Sequence, residues 1–309
     1  MSQNAKHIPV MLPEVIQALN VKKGGLYVDA TFGFGGYTQG ILQSADCSVI
    51  AIDRDPTVLP RTREIQEKYS DKFQFRQGLF SNLETLVSSP VDGIVFDIGV
   101  SSMQLDEASR GFSFSKSAYL DMRMSCEGLS AYDIVNTYSA EDIANILYLY
   151  GEEKKSRQIA QKIIEMRQLH PIETTTQLAD IVHSVLKKKI GLLDSATRTF
   201  QAIRIAVNNE LNELKNALQA AARILKPEGH LVVVDFHSLE DRIVKTFFKE
   251  NSNKKTHVSR YGASAPTSDK LFSYVSKVIL PSASELSSNP RARSAKMRFA
   301  IKNKGVNDD

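Results

Sequence analysis

The chain is poor in cysteine and has no long apolar stretch. Cys47 and Cys126 are the only cysteines among 309 residues. They are too few for a disulfide framework or a four-ligand zinc site, so we expect a reducing compartment and no bound metal. No apolar run approaches the roughly 20 residues that a membrane helix needs, and the first seven residues lack the apolar segment of a signal peptide. These absences favour a soluble, cytoplasmic protein without a membrane partner.

The excess of positive charge is small. Lys and Arg number 39 against 35 for Asp and Glu, which gives a formal charge of +4. This balance permits a polyanionic partner without requiring one. Apolar residues make up 42% and charged residues 24%, a composition that excludes wholesale disorder. The length favours two domains, or one domain with an insertion.

Short apolar runs alternate with helix-like segments in the first hundred residues. The runs predict strands over Leu26–Asp29, 48–52, 73–76 and 93–96, and the strongest run of the chain lies over 231–236. Strands that alternate with helices predict a parallel sheet. Alternation over 272–280 and 295–302 predicts a terminal strand pair.

The middle of the chain contains no convincing strand. Its periodicity predicts helices up to residue 189, and one long amphipathic helix over 197–225. We therefore expect an α/β core, formed by 1–106 and 197–309, that is interrupted by an inserted all-helical domain over 107–196. The polar segment 250–270 is predicted to be a mobile loop.

A glycine-rich turn follows the first predicted strand. It contains Gly33, Gly35 and Gly36, and Asp53 ends the next strand 20 residues after Gly33. Glycines let a backbone approach a ligand closely, and an acid at this place accepts hydrogen bonds from ribose hydroxyls. The pattern predicts an adenosine-bearing cofactor. Its spacing is not the dinucleotide fingerprint, and Thr38 stands where that fingerprint has a small residue, so S-adenosylmethionine is favoured over NAD.

Polar residues follow two further predicted strands. Asp97 and Gln104 come after the fourth strand, and His237 follows the strand over 231–236. Ligands bind beyond the carboxyl ends of strands in open α/β sheets, so these side chains are candidates for cofactor or substrate contacts. The alternative for each is a structural role. Ser238 and Asp241 have the spacing of a helix capping box.

The predicted helix over 197–225 carries polar residues on one face. Gln201, Arg204 and Asn208 lie at positions i, i+3 and i+7, which is typical either of a solvated face or of a binding surface. Basic residues also cluster at 187–189, 254–255 and 291–298. Together they are candidates for contacts with phosphates.

Nine segments resemble the 16S ribosomal RNA cytosine-N4 methyltransferases, the RsmH (formerly MraW) family. They occur in order over nearly the whole chain: HIPV (7–10), DATFGFGG (29–36), AIDRDP (51–56), DIGVSSMQLD (97–106), RGFSF (110–114), LDMRM (120–124), TRTFQAIR (197–204), FHSLEDR (236–242) and NPRARS (289–294). A generic methyltransferase shares only the glycine turn, so the combination is specific.

The resemblance implies a Rossmann-like methyltransferase core with an inserted helical substrate-recognition domain. It implies S-adenosylmethionine as the methyl donor and, as the acceptor, N4 of a cytidine in the decoding centre of 16S rRNA in the small ribosomal subunit. The implied cofactor residues are Gly33, Gly35, Gly36, Tyr37, Asp53, Phe80, Asp97 and Gln104. The candidate RNA contacts are Arg204, Asn208, Arg291 and Arg293. The chain departs from the family at Tyr37, where His is usual, at Phe34, and at Glu228.

In this interpretation Asp97, or a carbonyl of residues 98–100, takes up the proton that N4 releases. His237 shares the task or binds the cytosine edge. The alternatives are methylation of another RNA cytidine, an NAD-dependent oxidoreductase and a non-catalytic RNA-binding factor. We expect a monomer or a weak homodimer.

Overall fold

The computed structural model describes residues 9–186, 194–252 and 270–305. The chain forms two compact units, one of residues 1–99 and 211–309 and the other of residues 100–210. These boundaries differ from the expected ones, which fall after residues 106 and 196. No helix in the described ranges has both the length and the apolar character needed to cross a membrane.

The first unit is built on a seven-stranded sheet, which confirms the predicted α/β class. Its strands are β1 (Leu26–Asp29), β2 (Ser48–Asp53), β3 (Phe73–Gln77), β4 (Val91–Asp97), β5 (Leu225–Asp235), β6 (Phe272–Val275) and β7 (Lys296–Lys302). The order across the sheet is β3-β2-β1-β4-β5-β7-β6. Strands β1 to β5 are parallel, and β7 is antiparallel to both β5 and β6.

Helices occupy both units. They are α1 (Leu12–Leu19), α2 (Gly36–Ser44), α3 (Leu59–Tyr69), α4 (Leu83–Leu86), α5 (Ser102–Asp106), α6 (Ala131–Thr137), α7 (Ala140–Gly151), α8 (Ser156–Leu169), α9 (Thr175–Leu186), α10 (Thr197–Asn208), α11 (Glu210–Ile224), α12 (Ser238–Glu250) and α13 (Ala283–Ser288). Helices α5 to α10 belong to the unit of residues 100–210, whose described part contains no β-strand longer than an isolated bridge.

Each face of the sheet carries its own apolar core. Because side chains alternate along a strand, Val232 and Val234 pack in one cluster, whereas Leu231 and Val233 pack in the other. Residues of α1, α2 and α3 complete the first cluster, and residues of α11 and α12 complete the second. Helices therefore cover both faces, as in other doubly wound sheets. A third core lies within the unit of residues 100–210.

The single helix predicted over 197–225 is wrong. Helix α10 ends at Asn208, and α11 begins at Glu210. Asn209 between them adopts a left-handed conformation with φ of 51°, which Asn tolerates better than most residues. The apolar spacing continues across the break because both helices bury one face, so periodicity alone does not reveal it.

Two predicted strands have different bounds in the structure. Strand β5 begins at Leu225, six residues before the predicted start at Leu231, and is irregular near Glu228, where φ is 61°. The strand predicted over 272–280 ends at Val275, although Ile279 still forms a bridge to Met297. The core of the predicted mobile loop and the basic clusters at 187–189 and 254–255 lie outside the described residues.

Candidate functional site

Acidic residues end four adjacent strands. Asp53 is the last residue of β2, Asp29 of β1, Asp97 of β4 and Asp235 of β5. The direction in which the chain adds strands reverses between β1 and β4. Strands β2 and β3 lie on one side of β1, whereas β4 and β5 lie on its other side. Such a reversal at the carboxyl edge leaves a crevice where open α/β sheets bind ligands.

Asp29 anchors the start of the glycine-rich loop and of α2. Its Oδ1 accepts a hydrogen bond from the N–H of Thr31 at 3.3 Å. Its Oδ2 accepts from the N–H of Thr38 at 3.0 Å and from the Thr38 hydroxyl at 2.7 Å. Burial raises the pKa of this fully buried carboxyl to about 6, and the three donors oppose that shift. Asp29 was not predicted as a site residue, although it begins the motif that carries the glycines.

The loop needs glycine where α3 packs against it. Gly33 and Gly35 have φ of 50° and 76°, in the left-handed region that favours glycine. A Cβ on Gly35 would lie 2.5 Å from Cδ1 of Ile65 and 2.9 Å from the ring of Phe32. Contacts this short do not occur, so a side chain at this position would displace the loop from the strand end.

Asp53 holds the same loop from the neighbouring strand. Its Oδ2 accepts from the N–H of Gly33 at 2.7 Å, and its Oδ1 accepts from the N–H of Asp55 at 2.9 Å. Burial raises the pKa of Asp53 to about 6. A carboxylate has about four lone-pair sites, so these two bonds leave acceptor capacity for a ligand hydroxyl.

Phe80 offers an apolar surface after the neighbouring strand. Its half-buried ring meets Phe96 edge to face, with centroids 5.8 Å apart. The N–H of Gly78 donates to the carbonyl of Asp53, which ties the segment before Phe80 to the end of β2. A flat ring fixed in this way is suited to contact a nucleobase.

Tyr37 directs its side chain into the protein core. The ring is buried, and the hydroxyl donates a hydrogen bond to the carbonyl of Val10. Burial raises the pKa of Tyr37 far above its ordinary value. The residue therefore contributes its backbone in the first turn of α2, whereas its hydroxyl has a structural partner.

Phe34, the second departure from the family pattern, lies exposed at the tip of the loop. The guanidinium of Arg61 covers its ring, with Cζ 4.9 Å from the ring centroid. Nε of Arg61 also donates to the Phe34 carbonyl at 3.2 Å. Helix α3 thus holds the tip of the loop through one side chain.

Asp97 combines a hydrogen-bonded backbone N–H with a buried carboxyl oxygen. Its N–H donates to the Thr31 hydroxyl at 2.7 Å, whereas Oδ1 has no hydrogen-bond partner in the described ranges. Burial, together with the nearby carboxyl groups of Asp29 and Glu240, raises the pKa of Asp97 to about 8. Buried oxygens without partners are uncommon in proteins, so a ligand donor or cation is the expected partner.

His237 is the N-cap residue of α12, and Glu240 is its capping-box partner. Oε2 of the fully buried Glu240 accepts from the N–H groups of Phe236 and His237, at 3.1 and 3.3 Å. Oε1 of Glu240 lies 3.0 Å from Nε2 of His237. The prediction of a capping box formed by Ser238 and Asp241 is wrong, since the cap begins one residue earlier.

Asp241 has a different role from the predicted cap. Its carboxylate pairs with Lys296 at 3.2 Å and with Arg298 at 2.9 Å. These pairs join α12 to β7 and lower the pKa of Asp241 against the effect of burial.

Gln104 belongs to the other unit and caps α5. Its Oε1 accepts from the N–H of Ser101 at 3.0 Å, and its own N–H donates to the Ser101 hydroxyl at 3.2 Å. This reciprocal pair is a capping box. The predicted cofactor contact of Gln104 stays a prediction.

Arg204 and Asn208 are engaged inside their own unit. Arg204 forms a two-pronged ion pair with Glu210, with both bonds at 2.8 Å. The buried Asn208 accepts from the N–H of Met124 at 2.8 Å and donates to the carbonyl of Met122 at 2.7 Å. These bonds fix the loop around Met122, whose φ is 62°. The predicted RNA contacts of Arg204 and Asn208 stay predictions.

Arg291 and Arg293 are exposed, as a contact with RNA requires. They lie on a short 3-10 helix, Pro290–Ser294, which is anchored by the buried Ala292 between them. Ala292 packs in the same apolar cluster as Tyr37 and Val95. The short helix that carries the two arginines therefore packs, through Ala292, on the face of the sheet to which Val95 contributes.

Comparison with known proteins identifies the family. The family model described as the MraW methylase family matches residues 4–303. A protein of Rickettsia bellii (strain OSU 85-389), named Ribosomal RNA small subunit methyltransferase H, is 51% identical over 300 residues, which cover 96% of this chain and 98% of the relative. A protein of the same name from Paramagnetospirillum magneticum is 48% identical over 303 residues, with 96% and 95% covered.

Solved structures are more distant. An rRNA methylase of Streptococcus thermophilus aligns with 96% of this chain and 98% of its own, at 10% identity and a TM-score of 0.42, a similarity too low to bear on the site. The match of the family model, by contrast, extends over nearly the whole chain. The chain therefore belongs to the MraW methylase family, as its motifs predict.

Proposed function

We propose that this enzyme methylates the exocyclic N4 of a cytidine in the decoding centre of 16S rRNA. Its methyl donor is S-adenosylmethionine. Membership of a methylase family removes the alternative of an NAD-dependent oxidoreductase. The names of the relatives support a small-subunit rRNA as the substrate class. The observation that carries the chemistry is the buried Oδ1 of Asp97 at the carboxyl edge of the sheet, which has no partner within the described part of the chain.

The residues at this edge fit the donor. Asp53 has lone pairs left for ribose hydroxyls. Phe80 presents a flat apolar ring beside it, and the glycine-rich loop supplies backbone at close approach. Oδ1 of Asp97, which no described residue contacts by a hydrogen bond, is suited to a cation or an N–H donor.

The donor supplies a methyl group that its sulfonium charge has already activated. The protein then contributes position and electrostatics. The lone pair of cytosine N4 is delocalised into the ring. Oδ1 of Asp97 would accept a hydrogen bond from N4, which would make this lone pair more localised. The same oxygen would take the proton that N4 releases when N4 bonds to the methyl carbon, the carbon–sulfur bond of the donor breaks, and S-adenosylhomocysteine leaves. His237, held by Glu240, binds the cytosine edge.

The charge state of Asp97 suits this role. Its pKa of about 8 keeps most of the carboxyl protonated at neutral pH in the ligand-free protein. A positive charge bound nearby lowers that pKa, so the group becomes an acceptor when the site is loaded.

The RNA has to present an unstacked base. Enzymes that act on a base take it out of its stack, and the free-energy cost of unstacking is low in RNA loops. Arg291 and Arg293 bind the flanking phosphates. The unit of residues 100–210 contributes substrate recognition, as expected of the inserted helical domain.

A methyl-transfer assay on small ribosomal subunits that lack the modification tests the proposal. Tritiated donor is used, and the RNA is then digested and its nucleosides are identified by mass. We expect label in N4-methylcytidine from one site. Label in another nucleoside, at another cytidine, or in none overturns the proposal, and the last result favours a non-catalytic RNA-binding factor.

A further inference from the structure

Thr31 connects the glycine-rich loop to Asp97, the candidate catalytic acid. It lies two residues after the end of β1, and its hydroxyl accepts the hydrogen bond from the Asp97 N–H at 2.7 Å. Its own N–H donates to Oδ1 of Asp29. One residue thus contacts both Asp29, the anchor of the loop, and Asp97.

The hydroxyl takes the place of a backbone acceptor. The N–H of Ala30 still donates to the carbonyl of Val95 at 2.9 Å, as in the parallel ladder between β1 and β4. If the ladder continued, the next N–H of β4, that of Asp97, would donate to a β1 carbonyl. The Thr31 side chain accepts it instead, at the point where the chain leaves the sheet to form the glycine-rich loop.

Asp97 is held from both sides by this arrangement. On the β5 side, the N–H of Ile98 donates to the carbonyl of Val234 at 2.8 Å. On the β1 side, the bond to Thr31 is the corresponding tie. Removing it releases one side of the strand end, and the Asp97 carboxyl moves with the backbone that carries it.

We propose that the Thr31 hydroxyl is a positioning group. It fixes the distance between the Asp97 carboxyl and the glycine-rich loop at the value that methyl transfer requires. The inference rests on the proposed function for its catalytic readout. It does not need Thr31 to contact the donor or the RNA. A misplacement of about 1 Å in such a site costs up to about a hundredfold in rate, whereas the contacts of Asp53 with a nucleoside do not pass through Thr31.

Two substitutions isolate the hydroxyl. Thr31→Val keeps the shape and β-branching but removes the acceptor, and Thr31→Ser keeps the acceptor. In the valine variant we expect kcat for methyl transfer to fall at least about tenfold. The Kd for S-adenosylhomocysteine, measured by calorimetry, is expected to stay within about threefold of the parent. The serine variant is expected to match the parent in both.

Hydrogen exchange of the Asp97 amide supplies a readout that does not depend on catalysis. We expect exchange, followed by NMR, to be faster by about tenfold or more in the valine variant and unchanged in the serine variant. If the valine variant does not fold, Thr31→Ala, which also removes the acceptor, replaces it with the same expectations.

Parent-like kcat or parent-like Asp97 exchange in the valine variant overturns the inference, and so does a serine variant that loses as much activity as the valine variant. An equal loss of donor binding and kcat in the valine variant also contradicts it, because that pattern indicates general damage to the loop. If the parent enzyme itself transfers no methyl group to the subunit, the proposed function fails, while the exchange experiment still decides the link between Thr31 and Asp97.

Discussion

The carboxylate of Asp53 and the backbone N–H of Gly33 are joined by a 2.7 Å hydrogen bond. The bond ties the end of β2 to the loop that follows β1. A ligand hydroxyl bound by Asp53 would therefore have a fixed position relative to the backbone of the glycine-rich loop. In the proposed site, ribose binding at Asp53 is therefore coupled to the geometry of this loop.

Asp53→Ala is predicted to weaken donor binding strongly. It removes an ionised acceptor for the ribose hydroxyls, and hydrogen bonds to charged groups contribute about 1.5–3 kcal/mol each. We expect the Kd for S-adenosylhomocysteine to rise at least about tenfold in calorimetric titration. Asp71→Ala, which removes an exposed acid in the short 3-10 helix that follows α3, is the control. An unchanged Kd in Asp53→Ala contradicts the assignment of the ribose site.

Asp29→Asn is predicted to disorganise the loop without removing a ligand contact. The three groups that contact the Asp29 carboxylate are all hydrogen-bond donors. The side-chain amide of an Asn would place its own N–H donors against at least one of them, so that hydrogen bond would be lost. We expect a lower melting temperature and a Kd for S-adenosylhomocysteine raised about tenfold. Thr38→Val, which removes only the hydroxyl, is expected to have a smaller effect on both. Equal effects of the two substitutions would show that the hydroxyl alone matters.

Asp97→Asn is predicted to abolish transfer and to stabilise the ligand-free protein at alkaline pH. The folded-state pKa is about 8, above the ordinary 3.8. Between these values the unfolded chain releases its proton while the folded protein keeps it, so the free energy of unfolding falls as pH rises from about 4 to about 8. The neutral Asn avoids this loss.

Thermal unfolding as a function of pH checks this prediction. We expect the melting temperature of Asp97→Asn to exceed that of the parent by about 3 °C or more at about pH 8.5. The difference should narrow towards about pH 5, and kcat at saturating donor should fall at least about a hundredfold. A difference in melting temperature that is the same at both pH values would show that Asp97 is ionised in the ligand-free protein.

Combined Arg291→Ala and Arg293→Ala substitutions are predicted to weaken RNA binding and leave donor binding intact. The affinity of a protein for RNA falls with salt in proportion to the number of phosphates that its basic side chains neutralise, so each arginine removed should lower that slope by about one unit. The measurement is the affinity for small subunits at several salt concentrations. Arg63→Ala, at an exposed position on α3, is the control. Equal effects of the control and the double variant would place the RNA elsewhere.

Local patterns predicted the sheet well because strand signals are short and contiguous. The predicted strand Leu26–Asp29 has the observed bounds, and the acids predicted to end the second and fourth strands, Asp53 and Asp97, do so. Glycines between a strand and a helix also indicated the loop. These features depend on neighbours in sequence, so one chain suffices to read them.

The remaining features depend on partners far away in sequence. The bonds of Asn208 to Met122 and Met124 span 86 and 84 residues, and its helical spacing gave no sign that its amide is used there. The tie between Thr31 and Asp97 spans 66 residues. The break at Asn209 is a single left-handed residue, which the apolar periodicity on either side conceals.

A crystal structure of the protein with S-adenosylhomocysteine tests the central claim most directly. We predict that the ribose hydroxyls bind the Asp53 carboxylate. We also predict that the backbone of the glycine-rich loop contacts the ligand and that the sulfur of the ligand faces Asp97. Ligand density at another edge of the sheet, or a ribose that makes no contact with Asp53, would contradict the account.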